Sequence, residues 1–285
     1  VVHLFACIFR RATMTLVTFI IPVRHQDNAR DWRQLTAKLR QTMASIANQT
    51  HPDWRCIIVA NDMAELPPLP DKFSITRVTF PPNDLHDLGK ASEEVILDAF
   101  RFDKGRRVLK GMLDAPDTRF FMLVDDDDLV SNRIVEHAAT NRDANGWYVS
   151  RGYLWNDGSR IFCGVNNFND LCGSSLIIRA DSYEIPSTFE SASPEWIKDM
   201  LGSHRRIRDI LKSKGVPLQP LPFRGAVYRV GNAGSHSGTP GIGKLLILNR
   251  NNIRRPDRSV RALFRLRHVG AGLAGEFFGA SDTAA

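Results

Sequence analysis

The sequence predicts an α/β protein built on an open, mostly parallel central sheet with helices on its faces. Three observations predict it. Thr15 to Val23 (TLVTFIIPV), Trp54 to Asp62 (WRCIIVAND) and Arg119 to Val124 (RFFMLV) are apolar runs of strand length, the pattern of strands buried on both faces. Segments of helical periodicity lie between them. The last run stops abruptly at Asp125-Asp126-Asp127-Asp128. Strand, helix, strand, helix, strand is the order that right-handed crossovers arrange into one parallel sheet.

Pro22 closes the first strand. The next segment carries Trp32, Leu35, Leu39, Met43 and Ile46 at helical spacing, with Asp31 or Asn28 as the cap. Asn-Gln-Thr-His-Pro-Asp breaks that helix ahead of the second strand. Ile75 to Phe80 reads as a third strand, stopped by Pro81 and Pro82. Glu93 to Phe102 reads as a short helix, and Lys104-Gly105 as the lead into another with Val108, Leu109, Met112 and Leu113 on its apolar side. Beyond the aspartates, Asn132 to Asn141 is helical. GWYVSRGYLW and SRIFCGV flank the hairpin turn Asn156-Asp157-Gly158. Ser174 to Arg179 is a short strand, and Pro194 to Lys214 a long helix closed by Gly215.

Composition sets limits. The 285 residues, 43% hydrophobic and 24% charged, suffice for one large α/β domain and exclude wholesale disorder. Four widely spaced cysteines without a C-x-x-C pair argue against a zinc site or a disulfide framework. VVHLFACIFRRA runs apolar then basic, the reverse of a signal peptide, and is too short to span a bilayer. Met14 directly precedes the first strand, so residues 1–13 are set aside as an N-terminal extension. From Lys244 to His268 there are eight Lys or Arg against Asp257 alone, a surplus equal to the +7 of the whole chain. The partner of that segment is expected to be anionic: a membrane surface, a nucleic acid or a phosphorylated substrate; a solvated basic tail fits equally.

Four adjacent carboxylates repel one another. Here they follow a buried strand, and in open α/β sheets ligands bind beyond the carboxyl ends of the strands. A divalent cation, Mn²⁺ or Mg²⁺, would relieve the repulsion and neutralise charge on a departing diphosphate. The other reading is a charged loop capping the following helix.

SIANQTHPDWRCIIVAND resembles the helix-to-strand passage of family 2 glycosyltransferases of the GT-A fold, and FFMLVDDDDLVS resembles their D-x-D segment. The resemblance covers residues 15 to 180 and runs on more loosely to about 240. It implies a Rossmann-like nucleotide-sugar half (14–130), a smaller mixed acceptor half (131–242) and a basic tail (243–285). It also implies donor contacts from Pro22, Asp62, Lys104, Arg106, Arg107, Asp125 and Asp126, and metal ligation by Asp125 and Asp127. The register within the four aspartates stays open.

An inverting transfer needs a base for the acceptor hydroxyl. The acidic pair that the family usually carries is absent, since the matching stretch reads Gly202-Ser203-His204-Arg205. His204 is the expected base, with Asp199 as the alternative. His236, in a small-residue loop, is a candidate third metal ligand. Trp155, Asn167 and Asp170 are candidate acceptor contacts.

The expected activity is therefore metal-dependent sugar transfer from a nucleoside diphosphate sugar to a glycan or lipid-linked acceptor. The expected location is the cytoplasm, with peripheral contact to an anionic membrane through residues 244–268, to which the later Phe277 and Phe278 add apolar groups. No nucleic-acid partner is expected. A sugar nucleotidyltransferase would carry a Gly-rich loop after the first strand, where PVRHQDNARD has no glycine. A purely anionic-surface binder leaves the aspartates unexplained.

Overall fold

The computed structural model describes residues 14–85, 91–231, 241–242 and 264–279. Residues 1–13, His236 and the basic residues from Lys244 to Arg261 lie outside the described residues.

A seven-stranded sheet forms the centre. Its strands are β1 (Thr15–Pro22), β2 (Trp54–Asn61), β3 (Phe73–Val78), β4 (Thr118–Leu123), β6 (Gly146–Tyr148), β9 (Leu176–Arg179) and β10 (Gln219–Pro220), in the order β10-β6-β9-β4-β1-β2-β3. β3, β2, β1 and β4 run parallel, and β9 is antiparallel to both β4 and β6. The result is the mostly parallel, Rossmann-like sheet that the apolar runs predict.

Both faces of this sheet are covered. α1 (Trp32–Ala47) is capped by Asp31, whose carboxylate accepts from the Gln34 amide at 3.0 Å. It buries Leu35, Leu39, Met43 and Ile46 with Val17, Phe19 and Ile21 of β1. α2 (Glu93–Leu113) covers the opposite face with Val108, Leu109 and Met112, against Ile20, Ile57 and Phe121.

A second sheet packs beside the first: β5 (Leu129–Val130), β7 (Gly152–Asn156), β8 (Ile161–Val165), β11 (Ala226–Val230) and β12 (Leu266–His268), in the order β12-β8-β7-β11-β5. β7 and β8 form the hairpin around Asn156-Asp157-Gly158, where Gly158 takes φ +72°. Short helices α3 (Ile134–Thr140), α4 (Phe168–Leu171) and α5 (Pro194–Trp196), then α6 (His204–Ser213) and α7 (Ala271–Phe277), complete the described elements.

Four expectations are corrected. First, the two helices expected around Lys104-Gly105 are one, with Lys104 in its interior. Gly105 is needed there for close approach, because a Cβ would lie 2.6 Å from the Ile197 carbonyl oxygen. Second, the helix expected from Pro194 to Lys214 is broken. A π-helical turn, Ile197–Leu201, is followed by a bend at Gly202-Ser203 before α6 begins. A Cβ on Gly202 would lie 2.3 Å from the Arg101 carbonyl oxygen, so the bend sits directly on α2. Third, GWYVSRGYLW does not stay in one hairpin, since Gly146–Tyr148 joins the large sheet and only Gly152–Asn156 pairs with β8. Fourth, Phe277 and Phe278 are not part of an unpacked tail. Phe277 is fully buried against Tyr153 and Phe162, and Phe278 packs on Trp155 and Phe162. β12 pairs with β8, so this part of the expected tail belongs to the packed structure. Among the described residues no helix is long and apolar enough to cross a membrane.

Candidate active site

The site lies beyond the carboxyl ends of β1 and β4, which are adjacent and parallel. After β4 the Val124 amide still donates to the Ile20 carbonyl at 2.9 Å, and then the chain turns, with the Asp128 amide donating to the Asp125 carbonyl at 3.2 Å. That turn sends the four carboxylates in different directions.

Asp125 forms an ion pair with Lys104 from the middle of α2. Asp126 is 6% exposed and faces Arg24, Oδ1 to Nη2 3.7 Å. Asp127 is half-buried. Asp128 points inward: its Oδ2 accepts from Ser174 Oγ at 2.6 Å and Cys172 Sγ at 3.0 Å, and its Oδ1 is buried without a partner. The backbone of the run is held from three sides. The Asp125 amide donates to Ser174 Oγ (2.8 Å), Thr42 Oγ1 donates to the Asp126 carbonyl (3.2 Å), and Arg229 Nε donates to the Asp127 carbonyl (3.0 Å).

A cleft of about 440 Å³ opens over this turn, with Pro22, Arg24, Lys104, Asp125, Asp126, Asp127 and His204 among the residues that line it. A smaller hollow of about 210 Å³ shares the wall made by Arg24, Asp126 and Asp127, and adds Arg30 and Lys38 from the α1 side.

The electrostatics follow from burial and crowding. Burial, then the charges of Asp126 and Asp125, push Asp127 up to about 7. Burial raises Asp126 against the pull of Arg24, and burial followed by Asp127 drives Asp128 well above the usual carboxylate range. Lys104 occupies Asp125, and Ser174 with Cys172 occupies Asp128. Asp126 and Asp127 are left as the carboxylates common to both hollows. Two hard oxygen donors beside open volume fit Mg²⁺ or Mn²⁺, which take one or two carboxylates and complete their shell with water and phosphate. Among the described residues, no group of three or more His, Cys, Asp or Glu is gathered for metal binding.

His204 opens α6 immediately after the Gly202-Ser203 bend and lines the cleft. Its Nε2 is buried and has no hydrogen-bond partner. Burial, then the nearby Lys104 charge, push the imidazole down to about 4, so it is neutral at neutral pH. Asp199 sits in the π-helical turn, pairs with Arg206 and is not among the residues lining the cleft.

The other expected residues divide. Pro22, Lys104 and Arg107 line the cleft, Arg107 at 1% exposure with Nη1 donating to Asn61 Oδ1 at 2.7 Å. Arg106 lies outside it, bonded to Asp103 and the Pro81 carbonyl with its guanidinium 4.3 Å from the Phe80 ring centre. Asp62 is exposed beyond β2. Trp155 is 4% exposed beneath Arg229, its indole N–H donating to the Ser159 carbonyl at 2.8 Å. Asn167 and Asp170 are exposed, Asp170 near Arg208 at 3.8 Å.

Sequence reading passed over Arg24, Asn83, Arg205 and Tyr228, which also line the cleft, and Arg229 behind it. Arg24 lies in the PVRHQDNARD loop, read only for its lack of glycine. Arg229 left a clear signal: a lone charge inside the apolar strand AVYRV must be buried with partners.

No family model matches the chain. No curated protein matches it either. Among solved structures it is similar to the crystal structure of S. aureus TarS 1-349, at 11% identity and TM-score 0.42, over 76% of this chain and 61% of that one. It is also similar to the crystal structure of Rv0371C in complex with manganese from Mycobacterium tuberculosis H37Rv, at 13% identity and TM-score 0.34, over 76% of this chain and 92% of that one. The chain thus spans about three fifths (61%) of the TarS 1-349 length.

Proposed function

We propose that this chain is an inverting glycosyltransferase that moves a sugar from a nucleoside diphosphate sugar to a hydroxyl of a glycan or lipid-linked acceptor. One observation carries the reading. A single cleft is lined by His204, whose ring nitrogen Nε2 is buried without a hydrogen-bond partner, together with the crowded carboxylates Asp126 and Asp127 and the cations Arg24 and Lys104. The residue that would serve as base and the groups that would seat a diphosphate therefore line one volume.

In this reading, the His204 imidazole accepts the acceptor hydroxyl proton as that oxygen attacks the anomeric carbon. The bond from that carbon to the diphosphate breaks on the opposite side, which inverts the configuration. Arg24 lies against Asp126, where it adds positive charge toward the departing diphosphate. Lys104 holds Asp125 in place and adds to the burial that keeps His204 unprotonated. Asp126 and Asp127 are the residues that would hold a divalent cation, whose chemistry is neutralisation of charge on the leaving group.

The test is a panel of nucleoside diphosphate sugars, each with and without Mn²⁺, read by thermal stabilisation and by donor hydrolysis. At least one donor is expected to stabilise the protein only when Mn²⁺ is present, and Asp127→Ala is expected to abolish that response while keeping cooperative unfolding. A response that survives Asp127→Ala removes Asp127 as a ligand, and no response to any donor removes the proposal.

A further inference from the structure

Arg229 sits behind the aspartate turn and points at no open volume. It is 1% exposed, in the middle of β11. Its guanidinium makes three directional contacts to three separate elements. Nε donates to the Asp127 carbonyl at 3.0 Å, Nη2 donates to Gln41 Oε1 of α1 at 2.6 Å, and Nη1 pairs with Asp157 at the β7–β8 turn. The planar group also lies over Trp155, 4.6 Å from the ring centre. A point charge could not satisfy this arrangement; the forked donor geometry of arginine does.

We propose that Arg229 is a positioning residue for the metal-binding carboxylates, an inference that rests on the metal-dependent reading above. The direction in which Asp127 projects depends on the peptide that follows it, and Arg229 fixes that peptide by its carbonyl. Thr42 and Ser174 hold the preceding part of the turn, at the Asp126 carbonyl and the Asp125 amide. Arg229 is the one of these three that ties the turn to the second sheet, through its own strand and Asp157. The site's geometry is thereby coupled to α1 through Gln41 and to the second sheet through β11. Groups one step removed from metal ligands typically change metal affinity by about ten- to a hundred-fold when lost.

The experiment measures Mn²⁺ binding to the full chain by electron paramagnetic resonance and calorimetry, alongside thermal unfolding. The proteins are wild type, Arg229→Lys, Arg229→Met, Gln41→Met and, as a stability control, Val227→Ala from the same strand. The expected result is a loss of Mn²⁺ affinity of about ten-fold or more in Arg229→Met and a smaller loss in Arg229→Lys and Gln41→Met, with an altered Mn²⁺ spectrum. Val227→Ala is expected to lower the unfolding temperature without changing Mn²⁺ affinity. Should Arg229→Met not fold, Arg229→Lys and Gln41→Met decide, and unchanged affinity in both overturns the proposal. Saturable wild-type binding with unchanged Arg229→Met affinity overturns it alone. Absence of saturable Mn²⁺ binding by the wild type overturns the metal reading first and this inference with it.

Discussion

Lys104 and Asp125 form an ion pair that joins the middle of α2 to the first aspartate beyond β4. Gly173 lies directly against it: a Cβ there would be 2.7 Å from Asp125 Oδ2 and 2.8 Å from Lys104 Nζ. The pair is therefore boxed in by backbone, and after burial its positive member is the next cause that keeps the His204 imidazole neutral.

Replacing Lys104 with methionine tests that coupling. Both the lost cation and the released Asp125 charge raise the His204 pKa from about 4 toward its ordinary value. The acid limb of kcat/KM against pH is expected to move upward in Lys104→Met, or the His204 ring signals to titrate at higher pH by NMR. A limb that stays in place separates His204 from the pH dependence.

Ser174 serves two members of the turn at once, accepting from the Asp125 amide and donating to Asp128. Ser174→Ala strands an amide and deprives a buried carboxyl of a donor. Urea denaturation is expected to show a loss of about 1–3 kcal/mol.

His137 is packed edge-on to Trp147 (4.9 Å between ring centres) and Phe223 (5.7 Å), and its Nε2 has no partner. Burial, then Arg133, lower its pKa below the ordinary value. The unfolded chain thus takes up this proton first. Its contribution to stability is full above about pH 6.5 and is lost as pH falls through that range. The stability of His137→Phe relative to wild type is expected to improve between about pH 7 and pH 5. A constant difference across that window contradicts the assignment.

Phe277 is fully buried with Tyr153, Trp155 and Phe162. Phe277→Ala is expected to cost about 3–5 kcal/mol in equilibrium unfolding. A cost below about 1 kcal/mol would mean that α7 does not pack on the second sheet as described.

Much of the fold was legible because its cause is local. TLVTFIIPV, WRCIIVAND and RFFMLV are apolar throughout, and only a strand covered on both faces accommodates that. The Asp31 cap and the Asn156-Asp157-Gly158 turn were legible for the same reason. The break between Leu201 and His204 was not, since it depends on α2 approaching Gly202 within the space of a missing Cβ. Nor was the fusion of two expected helices into α2, where Lys104 meets Asp125 and Gly105 meets Ile197 instead of marking a helix boundary.

For this protein, sequence alone determined an open α/β sheet and a concentration of carboxylates at the carboxyl end of one of its strands. Tertiary structure alone decided what each carboxylate does: Asp125 to Lys104, Asp128 to Ser174 and Cys172, Asp126 and Asp127 to the cleft. The reason is physical. Strand formation follows from the side chains of one short segment, whereas the direction of four consecutive aspartates is set by Thr42, Ser174 and Arg229, residues brought to the turn from distant parts of the chain.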